Sequence, residues 1–225
     1  MKKKGCLIPL GIVAALVAWG VIYTWPETHR YRMTVEVETP QGLRTGSSVI
    51  ETSYRKEIKV LPDQLTGTIR IRGEAVMVEL PDGQTLFALL RGESVRTFDD
   101  IVYDTLGGEN SPHMRVGAPP VPIARNMMNP ARGQDNQISG LPLLVRFLDI
   151  HDPRTIKKVD PESLAVSFGS GVVLKRITLQ VTDDPVTSGI ANKIPWLNHL
   201  ERYRRDTKNP FTSTLPTEIG SFRSK

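Results

Sequence analysis

The stretch Asp149-Ile150-His151-Asp152 places a carboxylate two residues from an imidazole. On a strand, residues two apart share a face, so Asp149 and His151 could meet one metal ion or one substrate proton. His113, which follows Pro112, is a third candidate for that chemistry. A plainer alternative places Asp149 and His151 at a strand end, capping local backbone groups, with Asp152 opening the next turn. The first reading implies a hydrolase or a metal-dependent enzyme, and the second implies no catalysis. His29 and His199 read as surface residues.

Other polar groupings carry less. Asp183-Asp184 is followed by Pro185, and adjacent strand residues point to opposite faces, so a turn suits them better than paired acid–base work. Asp99, Asp100 and Asp104 suit helix capping. Gly169-Ser170-Gly171 lacks the lysine and helix that a phosphate loop needs. No Gly-x-Ser-x-Gly elbow or His-Glu-x-x-His pair occurs, and no cofactor or metal site is expected. Arg125, Asn126, Met127, Met128 and Arg132 form a candidate binding surface, since Arg and adaptable Met favour interfaces. Their alternative role is to anchor a loop to the core.

The elements that hold these residues begin after an unusual N-terminus. Lys2, Lys3 and Lys4 precede CLIPLGIVAALVAWGVIYTW, residues 6–25, which hold no charged side chain. About 20 residues at ~1.5 Å each cross a ~30 Å hydrocarbon core. Trp19, Tyr23 and Trp25 cluster at the far end, where amphipathic rings favour the membrane–water interface. The lysines should stay cytoplasmic and place the remainder on the opposite side. A cleaved signal peptide is the rival, with Ala18-Trp19-Gly20 as its cleavage site, but apolar residues continue past it. Cys6 is the only cysteine and precedes the apolar run, which argues against both a disulfide and a lipid-modified cysteine.

The expected order is a basic head at 1–5, a transmembrane helix at 6–25, a linker at 26–30, a β-rich domain at 31–206 and a disordered tail at 207–225. From Tyr31 the apolar period is two: Met33, Val35 and Val37 alternate with Thr34, Glu36 and Glu38. Ile69 and Ile71 alternate with arginines, and Gly73 permits a bend. Val76, Val78 and Leu80 lead into the turn Pro81-Asp82-Gly83, and the chain returns at Thr85–Leu90. Residues 107–140 read as a long irregular loop rich in Gly and Pro. Leu141–Ile150 reads as a central strand, Leu174–Thr182 as another, and Trp196–Asp206 as a short helix. The fold predicted is α+β, mainly antiparallel and sandwich-like, with a few short helices.

The 29 Lys and Arg exceed the 24 Asp and Glu, but the excess is concentrated in Lys2–Lys4. No basic stripe runs across residues 30–195, and the late cluster Arg202, Arg204, Arg205 and Lys208 reads as a solvated helix face, so nucleic acid is not an expected partner.

Two stretches, TVEVETPQGLRTGSSVIE and LPLLVRFLDIHDPRTIKKVDPESLAVSFGSGVVLKRITLQVTDDPVTSGIANKIPWL, resemble a recurring family of uncharacterised bacterial membrane-anchored proteins and cover about a third of the chain. The resemblance implies an inner-membrane anchor with a periplasmic domain. It supplies no activity, cofactor or catalytic residue. The expectation is a non-catalytic envelope protein that meets the bilayer through 6–25 and binds or scaffolds another envelope protein. The alternative is a periplasmic hydrolase or metal-dependent enzyme using Asp149 and His151.

Overall fold

The computed structural model describes residues 25–56, 67–93, 97–108, 110–128, 137–199 and 222–224, with Ala14, Ala15, Ala18, Trp19 and Tyr23. The expected basic head and most of the expected membrane segment lie outside these. Among the described residues no helix is long and apolar enough to cross a membrane.

The chain divides into two compact units, Met1–His29 with Thr52–Arg70, and Arg30–Glu51 with Ile71–Lys225. Strands β1 (Glu27–Thr39), β2 (Gly42–Lys56) and β3 (Gly67–Glu74) have residues in both. Strand β1 therefore starts at Glu27, and its first residues take up the stretch expected to be a linker. In the first unit Lys56 pairs with Glu27 at 3.0 Å. The Tyr54 ring covers Gly67, where a Cβ would lie 2.5 Å from the ring edge. The rings of Trp19 and Tyr23 stack at 5.3 Å.

The second unit is mainly antiparallel β with a few short helices. Its further strands are β4 (Val76–Glu79), β5 (Thr85–Gly92), β6 (Val121–Pro122), β7 (Asn126–Met128), β8 (Gln137–Ser139), β9 (Pro142–Phe147), β10 (Ile156–Lys158), β11 (Val173–Val181) and β12 (Arg223–Ser224). One sheet runs β12-β3-β2-β1-β11-β6, another β10-β9-β5-β4, and β7 pairs with β8. Helices α1 (Phe98–Leu106), α2 (Leu164–Phe168) and α3 (Ile190–Lys193) are short.

Period-two alternation sets the layers. Met33, Val35 and Val37 on β1 and Ile177, Leu179 and Val181 on β11 face one buried cluster. Val76, Val78, Leu86, Ala88 and Leu144 of the four-stranded sheet enter the same cluster. The alternate residues of β5 and β9, Phe87, Leu89, Leu143 and Val145, enter a second cluster with Trp196 and Phe222. Both faces of these two strands are covered, which explains their nearly unbroken apolar runs. Between β4 and β5 the turn carries Asp82 at φ 60° and Gly83 at φ 71°.

Three expectations change here. Phe222 is fully buried and Arg223–Ser224 pair with β3, so the tail expected to be disordered contributes a core side chain and a strand. One apolar ring in a polar stretch gives no periodicity to read. Strand β9 stops at Phe147, short of the expected Ile150, because Leu148-Asp149-Ile150-His151 turns back through Asp152 N donating to Asp149 O at 3.1 Å. Over the described part of the helix expected at Trp196–Asp206 the chain forms a short 3₁₀ segment, Pro195–His199, and residues 200–206 lie outside the described ones.

Candidate functional site: a cleft beside strand β3

At Gly73 strand β3 comes close to β2. The residue has φ 146°, and a Cβ there would lie 3.1 Å from Ile50 Cα, so only glycine fits without strain. The approach places Glu74 where Ser48 Oγ donates to its carbonyl at 2.7 Å. The Glu74 side chain is buried, and its Oε2 accepts from Ile190 N at 2.8 Å. That bond ties the 182–190 segment to β3. Thr187 fastens it a second time: its N donates to Val49 O at 3.0 Å, and its Oγ1 accepts from Val49 N at 2.8 Å.

Between this segment and the strands lies a cleft of about 340 Å³, lined by Arg72, Gly73, Glu74, Val186, Thr187, Ser188 and Arg223. Arg223 lies opposite Glu74 across β12 and β3, and its Nη1 donates to Asn198 Oδ1 at 3.3 Å. Arg72 is held from behind by Glu51 at 3.6 Å, and Glu51 also takes Arg30 Nε at 2.8 Å. Two guanidinium groups and two hydroxyls thus edge the cleft, and one oxygen of the only carboxylate among its described lining residues is already engaged by Ile190. The set offers hydrogen-bond donors on rigid strands, which suits holding a ligand better than moving a proton.

Elsewhere Arg32 reaches the Asp184 carboxylate. The Thr182 hydroxyl also donates to that carboxylate. The Asp184 pKa is lowered from 3.8: the Thr182 hydrogen bond is the largest cause, burial opposes it, and the charge and hydrogen bond of Arg32 lower it further. Asp184 thus lies in a bend after β11, held by Thr182 and by Arg32 of β1.

The candidates read from sequence fall elsewhere. Asp149 and His151 lie in the exposed turn after β9, and Asp149 Oδ1 accepts from His151 N at 2.9 Å. Asp149 N and O are both bonded to Thr155 Oγ1. With the strand ended at Phe147, the argument that they share a strand face fails, and Asp149 acts as a local cap. His113 sits in a separate 3₁₀ turn, Pro112–Met114. Among the described residues no group of three or more His, Cys, Asp or Glu could hold a metal ion.

Arg125 is a clamp. Its Nη1 donates to Glu162 Oε1 at 2.7 Å and to Pro161 O at 3.4 Å, and its Nη2 donates to Leu174 O at 2.7 Å. Asn126, Met127 and Met128 form β7, opposite Ser139, Ile138 and Gln137 of β8. The side chains of Met127 and Met128, and Arg132 altogether, lie outside the described residues. Asp100 takes Thr97 N at 2.9 Å and closes a capping box on α1, the role its position suggested.

Sequence reasoning passed over Arg72, Glu74, Thr187, Ser188 and Arg223. The alternation of Arg70 and Arg72 with isoleucines and the glycine after them were visible signals. The meeting of positions 72, 187 and 223 depends on long-range pairing and leaves no local trace.

A scan against protein-family models found no match, and comparisons with curated proteins and with solved structures found none either.

Proposed function

We propose that this chain is a membrane-anchored, non-catalytic envelope protein that binds or scaffolds a partner protein through the cleft beside β3. The reading takes the apolar run 6–25 as a single-pass anchor, with Lys2–Lys4 cytoplasmic and the β-rich part periplasmic. The cleft itself carries the proposal. It presents Arg72, Arg223 and Ser188 at its rim, on strands and a segment pinned by Glu74 and Thr187. Rigidly held donors around an open cleft lose little entropy when a partner docks.

Capture from carbonate-washed membranes tests it. The intact chain should retain a partner, and the variants Arg72→Glu and Ser188→Trp should each lose it while keeping their β circular dichroism. These substitutions change the charge and the volume of the cleft at exposed side chains. Capture that survives both variants contradicts the proposal.

A further inference from the structure

The first unit holds a smaller cleft of about 200 Å³, lined by Pro26, Ser53, Arg55, Thr68 and Arg70. Strands β2 and β3, neighbours in the sheet, build most of it. Ser53 and Arg55 are two apart on β2, and Thr68 and Arg70 are two apart on β3, so each pair shares a face. Tyr54, between the first pair in sequence, packs its ring over Gly67 instead. The lining offers two guanidinium groups and two hydroxyls, and no carboxylate among its described residues. Glu27, the acid next to Pro26, is engaged by Lys56 at 3.0 Å. Small-molecule pockets run to roughly 300–1,000 Å³, so this cleft suits a compact anion better than a whole organic ligand. Guanidinium forks beside hydroxyl donors match the oxygens of a phosphate.

Pro26 indicates what carries that phosphate. It follows Trp25, the last residue of the uncharged run 6–25. Consecutive Cα atoms are about 3.8 Å apart, whereas the headgroup layer beside the hydrocarbon is roughly 5–7 Å deep. Trp19, Tyr23 and Trp25 are exposed, and amphipathic rings of this kind settle at the membrane–water interface. With 6–25 as an anchor, the cleft that Pro26 lines therefore opens at headgroup level. We propose that it binds the phosphate of an anionic phospholipid of the periplasmic leaflet, held by Arg55 and Arg70 with Ser53 and Thr68. The inference rests on the anchor reading and is independent of the cleft beside β3.

The test uses the full chain in phosphatidylcholine nanodiscs. Tryptophan quenching by brominated phosphatidylglycerol, against brominated phosphatidylcholine, gives the lipid preference. The wild type should prefer phosphatidylglycerol. Each arginine near an anionic surface is worth roughly a fivefold preference, so Arg55→Gln and Arg70→Gln should each reduce it by about that factor. Arg44→Gln, at an exposed position near the start of β2, should leave it unchanged. Lys2–Lys4 are present in every variant, so their own attraction to lipid cancels. Excess inorganic phosphate should not displace the lipid, which the bilayer holds at high effective concentration. No preference in the wild type, an equal loss in Arg44→Gln, or a preference abolished by free phosphate overturns the proposal. Should a glutamine variant lose its β circular dichroism, Arg55→Lys and Arg70→Lys replace it. Each keeps the charge without the planar fork and should lower the preference, and no change in either overturns the proposal. A chain released from membranes by carbonate overturns the anchor reading together with this one. A chain that stays but shows no preference overturns this inference alone.

Discussion

Asp184 shows how little of the polar surface here is chemically strained. Its carboxylate takes the Thr182 hydroxyl and the Arg32 guanidinium, and its folded pKa lies below the ordinary 3.8. A lowered carboxylate pKa means that the stabilisation is present above the unfolded value and is lost as pH falls through the folded one. A carboxyl-carbon titration by NMR should therefore place the Asp184 midpoint below 3.8. Thr182→Ala should raise that midpoint, since the hydroxyl is the largest single cause. An unchanged midpoint in Thr182→Ala would contradict this account of the site. The pair Asp149 and His151 teaches the complementary lesson. Their spacing is the same on a strand or in a turn, and only the end of β9 at Phe147 decides between the two. The residue types that could do chemistry were legible, but whether they converge was not.

Arg125 marks the element scale, because it fastens the long stretch between α1 and β9. That stretch looked irregular in sequence for want of periodicity. It is tied down by single bonds: Gln180 Nε2 to Ala118 O at 2.9 Å, Ile123 N to Ile177 O at 2.8 Å, and Gly140 N to Arg125 O at 2.9 Å. Arg125→Ala should cost about 1–3 kcal/mol by urea unfolding, the range for hydrogen bonds to charged groups and buried carbonyls. Amide exchange at Gly140 should accelerate. Arg125→Lys should recover little, because an ammonium cannot reach Glu162 and Leu174 at once as the planar fork does. Full recovery by lysine would show that only the charge matters. The strands themselves were readable. Alternation located β1, β4 and β11, the hairpin turn marked β5, and a continuous apolar run marked β9, both of whose faces are covered. Strand β12 was not readable, because two residues and one phenylalanine make no pattern.

At the scale of the whole molecule, two sheets enclose one core, and a cover of α3, Trp196 and Phe222 closes a second. The mainly antiparallel class was legible from turns and alternation. The order of the sheets was not, because β3 pairs with β12 across most of the chain. That same long-range closure builds the cleft from positions 72–74, 186–188 and 223. The central claim is that a partner protein occupies this cleft on the far side of the membrane. A photo-crosslinking amino acid placed at Ser188 in intact cells tests it most directly, with the exposed Val166 on α2 as the control position. The account expects a discrete protein adduct from position 188, lost when Arg72→Glu is added, and none from position 166. No adduct at 188, or the same adduct from both positions, would contradict it.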